Sequence, residues 1–470
     1  MRYLTSQLSY FYNGIIPEKY RQKAVPFYVI FITAVSVTLV SLFGKDSLMI
    51  IPAMVIGYAA LKYPMFPLYL FFATVTVTPY LIPGAHRIYS YSLVLLIIAL
   101  WFCRKMLMGY RAFEYSRMLL GYIVLFYFVL ICTALNNGLT VLEINSLVRY
   151  TIFFPLVLVV YDMYKPRLTL PIFLSISLPL IVSSYYIFLV YMSAGNFIEF
   201  LNLYRMKPAG LFSNANVFGV MMIFAAPFWI ALAIWGKKKY LRIGSAAIAL
   251  ILTISLLLSN SRSAIVGILF TALFYFIISK KVRYLLITAV LLVVIFASSP
   301  VIRIITTVGF RYEQGTSRRV DVWNNSLDII KRNAVFGIGS GNFPEVYKPN
   351  LKTAFDKGFI GSVAHAHNEF LHAVVEFGIM GLFFITALFY IPLKKGFLLL
   401  KKPLSDFDRA AVCGSMGIIF ANLGNSIFHA NAIQSAGGLF PPILYWTTMI
   451  VILKLYKKYE GTGNKLILHK

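Results

Sequence analysis

The sequence predicts an all-α polytopic membrane protein, and three observations support this prediction. Of the 470 residues, 60% are hydrophobic and only 13% are charged, unlike the balance of a water-soluble globular protein. Apolar runs long enough to cross a bilayer recur along the chain. The polar segments between them alternate between basic ones and ones with few charges, which is the pattern of cytoplasmic and outer loops.

The apolar runs define the predicted helices. A spanning helix needs roughly 17–25 mostly apolar residues, because the hydrocarbon core of a bilayer is about 30 Å thick. About 14 runs qualify and the second is short, so we expect about 12–14 transmembrane helices. In order, they cover residues 26–43, 47–62, 65–82, 88–103, 118–135, 146–164, 168–192, 211–235, 243–259, 263–279, 284–299, 368–391, 410–428 and 437–455.

The basic clusters predict the orientation of these helices. Lys and Arg concentrate in the cytoplasmic loops of membrane proteins. Here every second connection is basic, and all of these fall on the side of the N-terminus: 104–117, 164–167, 236–242, 280–283, 394–402 and 457–460. The other side receives 44–46, 83–87, 134–138, 193–210, 259–263, 300–366 and 429–435. We therefore expect both termini in the cytoplasm.

Composition also excludes several kinds of protein. The net charge of +27 comes from these short loop clusters, so it indicates topology and not a nucleic-acid partner. Cys103, Cys132 and Cys413 all lie in apolar runs, which gives no basis for a disulfide framework or a thiolate metal site. No small-residue cleavage site follows the first apolar run, so the first helix is expected to be an uncleaved signal anchor.

The outer segment 300–366 is the only connection long enough for structure of its own. It contains an amphipathic run, SRRVDVWNNSLDIIKRN (317–333), followed by the glycine-rich stretch GIGSGNF (337–343). These features predict short helices and a turn that cap the outer mouth. No repeat or soluble domain is visible, so residues 1–470 are expected to form a single membrane domain.

Positive charges on the predicted outer face need a separate explanation. Arg205, Arg262, Arg318 and Arg319 all fall there, and Arg262 lies between two apolar runs with almost no loop around it. Snorkelling to lipid headgroups is one interpretation. The alternative is a phosphate site, because guanidinium groups bind phosphate oxygens in a bidentate manner. Several arginines on one face favour a lipid-linked phosphate or pyrophosphate.

Two asparagines, Asn214 and Asn216, stand at the start of the predicted helix 211–235. Asn is a good N-cap, which is the structural interpretation. A helix N-terminus also binds anions, and Arg205 lies a few residues upstream. The two roles are compatible.

The start of the predicted helix 368–391 is rich in histidine. His365 and His367 form an H-x-H pair, but His372 is on a different helical face from His367, and no cysteine or carboxylate cluster completes a metal site. A general base is the stronger hypothesis, since the imidazole pKa lies near neutrality. His367 is the first candidate; Glu369 and Glu376 are alternatives.

The segment HNEFLHAVVEFGIMG (367–381) resembles the signature of bacterial O-antigen ligases and the related polysaccharide polymerases. That signature is His, then Asn, Ser or Gln, nine residues, Gly, two residues, and a small residue or Tyr. His367, Asn368, Gly378 and Gly381 occupy its fixed positions.

Three further segments resemble the family in the same order. YRMKPAGLFSNAN resembles an Arg followed by G-x-F-x-N-P-N, with Ala215 in place of Pro. NSRSAIVG resembles S-R-[GS]-A, and SRRVDVW…FGIGSGNF resembles S-G-R-x-x-x-W followed by G-x-G-x-x-x-F. Trp323 matches the Trp, Arg319 is the aligned arginine, and Arg318 replaces the usual Gly. The resemblance covers residues 200–390.

The resemblance implies a GT-C-like, metal-independent glycosyltransferase at the outer face of the bacterial inner membrane. It implies no cofactor, an undecaprenyl-pyrophosphate-linked glycan as donor, and a glycan or lipid A-core as acceptor, among membrane lipids. His367 would be the base, with Asn368 and His365 orienting it. Arg205, Arg262 and Arg319 or Arg318 would hold the pyrophosphate, together with Asn214 and Asn216. Trp323, Gly378 and Gly381 would support the site.

Three functions remain open at this stage. Within the family, a polymerase extends a chain, a ligase transfers the finished chain to lipid A-core, and a third branch glycosylates protein. The polymerase is the first choice here, whereas the H-N-x9-G-x2-G match favours a ligase. A polysaccharide flippase would need ionisable groups near the bilayer midplane and an internal repeat, which the sequence does not show.

Overall fold

The computed structural model describes residues 65–74, 86–107, 113–138, 140–196, 199, 203, 208–212, 214–281, 310–347, 365–429 and 440–467. The described residues are helical and contain no strand. The helices are α1 (Phe66–Thr74), α2 (His86–Leu107), α3 (Arg117–Asn137), α4 (Val141–Met163), a 3₁₀ turn (Pro166–Leu168), α5 (Thr169–Met192), α6 (Ala215–Trp235), α7 (Lys239–Leu258), α8 (Arg262–Ser279), α9 (Phe310–Arg332), α10 (Phe343–Tyr347), α11 (Glu369–Leu400), α12 (Asp406–Ser426) and α13 (Phe440–Ile467).

The predicted fold class is confirmed: the chain is an all-α polytopic membrane protein. Seven helices in the described part are long and apolar enough to cross a membrane, namely α3, α4, α5 with the preceding turn, α6, α7, α8 and α11. α2, α12 and α13 coincide with the predicted spans 88–103, 410–428 and 437–455. The predicted spans 26–43, 47–62 and 284–299, and residues 75–82 of the span 65–82, lie outside the described residues.

Polar caps explain two of the helix starts that differ from the prediction, those of α4 and α6. α4 begins at Val141, since Thr140 and Glu143 form a capping box in which each side chain binds the other's backbone N–H. α6 begins at Ala215, since the Asn214 side chain accepts the N–H of Val217 at 2.9 Å.

The contacts divide the chain into two compact units, one within Met1–Phe71 and Ser92–Phe113 and the other within Phe72–Tyr91 and Glu114–Lys470. In the first, the rings of Trp101 and Phe113 meet edge to face at 5.6 Å. The second contains every described site residue. The prediction of a single membrane domain stays a prediction.

α12 lies in the middle of the second unit, packed against α6, α8, α11 and α13. Small residues allow this close packing: a Cβ on Gly414 would come within 2.9 Å of the Phe228 backbone, and Gly417 and Gly424 face α8 as closely. Membrane helices associate through such surfaces, because lipid supplies little hydrophobic driving force between helices. α12 is therefore a fixed support for its neighbours.

The amphipathic run predicted at 317–333 forms the end of α9, followed by the glycine-rich turn 333–342 and α10. One face of α9 is buried through Val322, Asn325, Ser326 and Ile329, which follow the spacing of a helical stripe. Val322 and Ile329 join Phe343, Tyr347 and other residues in a small core of their own. This core fixes α9 and the turn against the start of α11.

Candidate active site

His367 stands in the short connection that leads into α11, and its backbone is unusual. Its φ of 53° lies in the left-handed region, which costs a residue with a side chain about 1–2 kcal/mol. The backbone N–H of His367 donates to Nδ1 of His365 at 3.2 Å. Such strain persists only where the surroundings hold it, and it concentrates at functional sites.

Asn368 and Trp323 hold this connection from both sides. Asn368 caps α11 by accepting the N–H of Leu371 at 2.9 Å, and its Nδ2 donates to the carbonyl of Ile427 at 3.1 Å. The indole Nε1 of Trp323 donates to the carbonyl of Ala366 at 3.0 Å. The residues before and after His367 are thus tied to α9 and to the end of α12.

The site contains a histidine cluster, which we define as His365, His367, His372 and His429. The ring centre of His365 lies 4.4 Å from that of His367, 5.3 Å from that of His429 and 6.1 Å from that of His372. Within the described part of the chain, no group of three or more His, Cys, Asp or Glu side chains has the geometry to hold a metal ion.

Sequence reasoning missed His429. It lies just beyond α12, about 60 residues from the other three histidines, and no motif marks it. The only signal available was its position in a predicted outer loop, on the same face as His367.

The charge of Arg319 acts directly on the histidine cluster. Burial and, second, the nearby charge of Arg319 lower the pKa of His367 to about 4. The pKa of His365 is lowered well below its usual range, first by burial and then by the neighbouring imidazoles. Among the described residues, Arg319 is the charged side chain other than histidine that acts on these two imidazoles. Both histidines are therefore neutral at pH 7, beside a guanidinium group.

Arg262 belongs to the same charged region. It is the first residue of α8, and its charge acts on Arg319, whose pKa is lowered first by burial and then by Arg262. The structure thus brings together three segments that are far apart in sequence, represented by Arg262, Arg319 and His367. Arg205 lies outside the described residues, and Arg318 is described in its backbone only.

The two predicted asparagines are described at the start of α6. Asn214 is an exposed N-cap, which is the structural role that the sequence predicted for it. Asn216 lies beside the start of α8, where its Oδ1 accepts the hydroxyl of Ser261 at 3.5 Å. Ser261 immediately precedes Arg262, so Asn216 connects the α6 motif to the arginine.

Gly378 breaks α11 into two parts. Its φ of 63° and ψ of −156° are not helical, so residues 369–377 and 379–400 form separate segments. The break exposes the carbonyls of Val375 and Glu376, which accept the N–H groups of Ile338 and Gly339, each at 2.9 Å. The glycine-rich turn therefore completes the hydrogen bonding of the helix that His367 precedes.

Only glycine fits at Gly378. A Cβ there would overlap the carbonyl of Val335, and on the facing turn a Cβ at Gly337 would come within 2.5 Å of the Glu376 carbonyl oxygen. Positive φ adds strain for any other residue at either position. The close approach at Gly378 is made by the turn after α9.

Gly381 shows how sharp the break is. A Cβ on Gly381 would overlap the carbonyl of Ala373, although eight residues of straight helix would separate the two by about 12 Å along the axis. A straight helix would also place Gly378 and Gly381 about 16–21 Å from His367 along the axis. The break shortens the distance to Gly381, because the first segment folds back towards the second.

Glu376, which the sequence left open as a base, has a different position. It is 1% exposed, and its Oε1 accepts the N–H of Gly341 at 3.0 Å and lies 3.6 Å from Nε2 of His372. His372 in turn packs edge to face against Phe343. Glu376 therefore joins the glycine-rich turn to the histidine cluster.

The turn between α3 and α4 supports the glycine-rich turn from its other side. Nδ2 of Asn137 donates to the carbonyl of Gly337 at 3.2 Å, and Thr140 donates its hydroxyl to Oδ1 of Asn342 at 3.1 Å. Backbone at the edge of a membrane bundle is stable when its polar groups are satisfied within the protein.

The fold and the site together define a multi-pass helical membrane protein with a histidine–arginine site at one end of its bundle. Residues 246–386 match the family model described as O-antigen ligase. The match confirms the resemblance and supports a glycosyltransferase type of enzyme acting on lipid-linked glycan in a membrane. It includes Arg262, Arg319, His367, Gly378 and Gly381. No curated protein matches the chain.

Proposed function

We propose that the protein transfers a glycan from undecaprenyl pyrophosphate to a sugar hydroxyl at the outer face of the bacterial inner membrane, without a metal ion. The observation that carries the proposal is the convergence of His367, Arg319 and Arg262. A neutral imidazole beside two guanidinium groups combines a base with a pyrophosphate site. In glycosyl transfer from a pyrophosphate, one part of the site removes a proton while another stabilises the leaving anion.

Neutral His367 takes the proton of the acceptor hydroxyl as that oxygen forms a bond with the anomeric carbon. The bond between this carbon and the pyrophosphate oxygen breaks, and its electron pair leaves with the pyrophosphate. Arg262 and Arg319 stabilise the negative charge that develops there, because charge-assisted hydrogen bonds to phosphate are strong and bidentate. Asn214, Asn216, Arg205 and Arg318 are proposed as further donor-binding residues.

The second group of proposed residues positions the base. His365 accepts the His367 N–H, Asn368 starts the helix, and Trp323 binds the preceding carbonyl. Gly378 and Gly381 permit the fold of α11 that sets the direction of this segment. A catalytic group held by packed neighbours loses little time in unproductive orientations.

The basic end of α11 supports the proposed outer location. The segment 379–400 is about 33 Å long, enough to cross the bilayer. Lys394, Lys395, Lys401 and Lys402 lie at its far end, away from His367. Under the positive-inside rule that end is cytoplasmic, so the site and the lipid-linked donor are proposed to be extracytoplasmic, with both termini in the cytoplasm.

The acceptor divides the proposal in two. We favour a polysaccharide polymerase, and the ligase is the second candidate, which the H-N-x9-G-x2-G segment favours. The test is a gel of surface glycan from a deletion strain. Deletion of a polymerase should leave a single repeat on the lipid A-core, whereas deletion of a ligase should leave complete chains on the lipid carrier. Unchanged surface glycan contradicts both.

Replacing Arg262 with lysine tests the pyrophosphate role. We expect a loss of about 10–100-fold in transfer, because lysine keeps the charge but not the bidentate geometry. The measurement is the rate of glycan transfer by the purified variant in detergent. Lys401→Arg, at the exposed far end of α11, is the matched control. Full activity of the Arg262→Lys protein would instead indicate that Arg262 only anchors the helix at the lipid headgroups.

A further inference from the structure

The turn that follows α12 contacts the connection around His367 through three consecutive residues. The Ile427 carbonyl accepts from Asn368 at 3.1 Å, the Phe428 ring stacks at 6.4 Å on Trp323, and His429 faces the other imidazoles. The family match ends at residue 386, so this turn lies outside it. Ile427 and Phe428 hold Asn368 and Trp323, which already have a role in the candidate site. The role of His429 is still to be explained.

His429 is placed to touch a ligand of that site. Its ring centre lies 5.3 Å from that of His365 and 6.4 Å from that of His367, and the residue is half-buried. It follows the C-terminus of α12, where the helix dipole favours positive charge. Arg319 is the described charged group that acts on His365 and His367, whereas Glu376 lies 3.6 Å from Nε2 of His372.

We propose that His429 is an additional residue of the donor site and binds the pyrophosphate of the lipid-linked donor together with Arg262 and Arg319. An anion in this region lowers the electrostatic free energy of all the neighbouring cationic groups at once. An imidazole N–H also donates a hydrogen bond to a phosphate oxygen in either protonation state. The assignment rests on the proposed function, and it adds a binding group from a fourth segment of the chain.

Direct binding of sugar-free undecaprenyl pyrophosphate to the purified full chain in detergent tests this assignment. We expect His429→Ala to weaken binding about ten-fold or more, as for a lost charge-assisted hydrogen bond. His429→Arg should restore most of the affinity, since it returns a cationic donor that a packing role would not require. In transfer assays, the alanine variant should raise KM for the donor more than it lowers kcat, in contrast to His367 variants.

Two reference variants separate the possible results. Lys401→Ala removes an exposed positive charge at the far end of α11 and should bind the probe as the unmodified protein does. Arg319→Ala reports on the proposed function itself. If Arg319→Ala weakens binding and His429→Ala does not, only the role of His429 is overturned. If the unmodified protein does not bind the probe, or if Arg319→Ala binds it unchanged, the proposed pyrophosphate site is refuted. The proposed role of His429 is then refuted as well.

Discussion

Replacing His367 with alanine or asparagine should lower glycan transfer by about 10²–10⁴-fold, the usual contribution of a general base. Neither side chain accepts a proton from a sugar hydroxyl. Asparagine is the sharper variant, because it tolerates the left-handed backbone that His367 adopts, so the connection should keep its shape. The measurement is turnover of a lipid-linked glycan by purified protein of verified thermal stability. Normal turnover by the asparagine variant would refute the base assignment.

The pH dependence of the unmodified enzyme tests the same histidine. The base must be deprotonated, and the pKa of His367 is about 4 in the empty site. The acidic limb of kcat/KM should therefore lie near pH 4, and not near 6.5 as for an ordinary histidine. Bound pyrophosphate favours the imidazolium form, so the acidic limb of kcat should lie at higher pH. A limb of kcat/KM at 6.5 would contradict the lowering of the His367 pKa by burial and, second, by Arg319.

Replacing Gly378 with alanine should destabilise the protein by about 2–4 kcal/mol, the sum expected for a strained backbone and an overpacked contact. The new Cβ would overlap the Val335 carbonyl, so either the turn or the helix break must move. The measurement is the midpoint of thermal unfolding in detergent, with transfer activity measured below it. Activity should be lost even where the protein stays folded, since the His367 segment is held through this break.

Gly121→Ala is the matched control for Gly378. Gly121 lies within α3, and a Cβ there meets nothing within 4 Å. Alanine has the higher helix propensity, so this variant should be neutral or slightly more stable. Equal stability of the Gly378→Ala and Gly121→Ala proteins would mean that the break at Gly378 is not required for the fold.

The membrane helices were predictable because a bilayer imposes one simple requirement, a run of about 20 apolar residues. This requirement located α3, α5 and α8 almost to the residue. It located α4 and α6 less well, since their starts depend on hydrogen bonds of Thr140 and Asn214 that hydropathy does not register. The amphipathic period located α9 in the same direct way.

The site was predictable only in part, and the division has a physical cause. Arg262 and His367 were identified because charged and polar side chains are costly beside apolar runs and so need a reason to be there. His429 was not, because only the packing of α12 brings it to His365. The break at Gly378 was missed as well, since its φ/ψ is stabilised by the distant residues Ile338 and Gly339.

The placement of α12 separates a tightly packed centre from the connections at its ends. Glycines pack this helix tightly among its neighbours, and the turn that follows it contacts Asn368 and Trp323 beside His367. The candidate site is thus fixed to the centre of the bundle. Connections outside this packed centre can change length and sequence without moving His367. Under the proposed function, one reaction centre of this construction suits glycans of different structure.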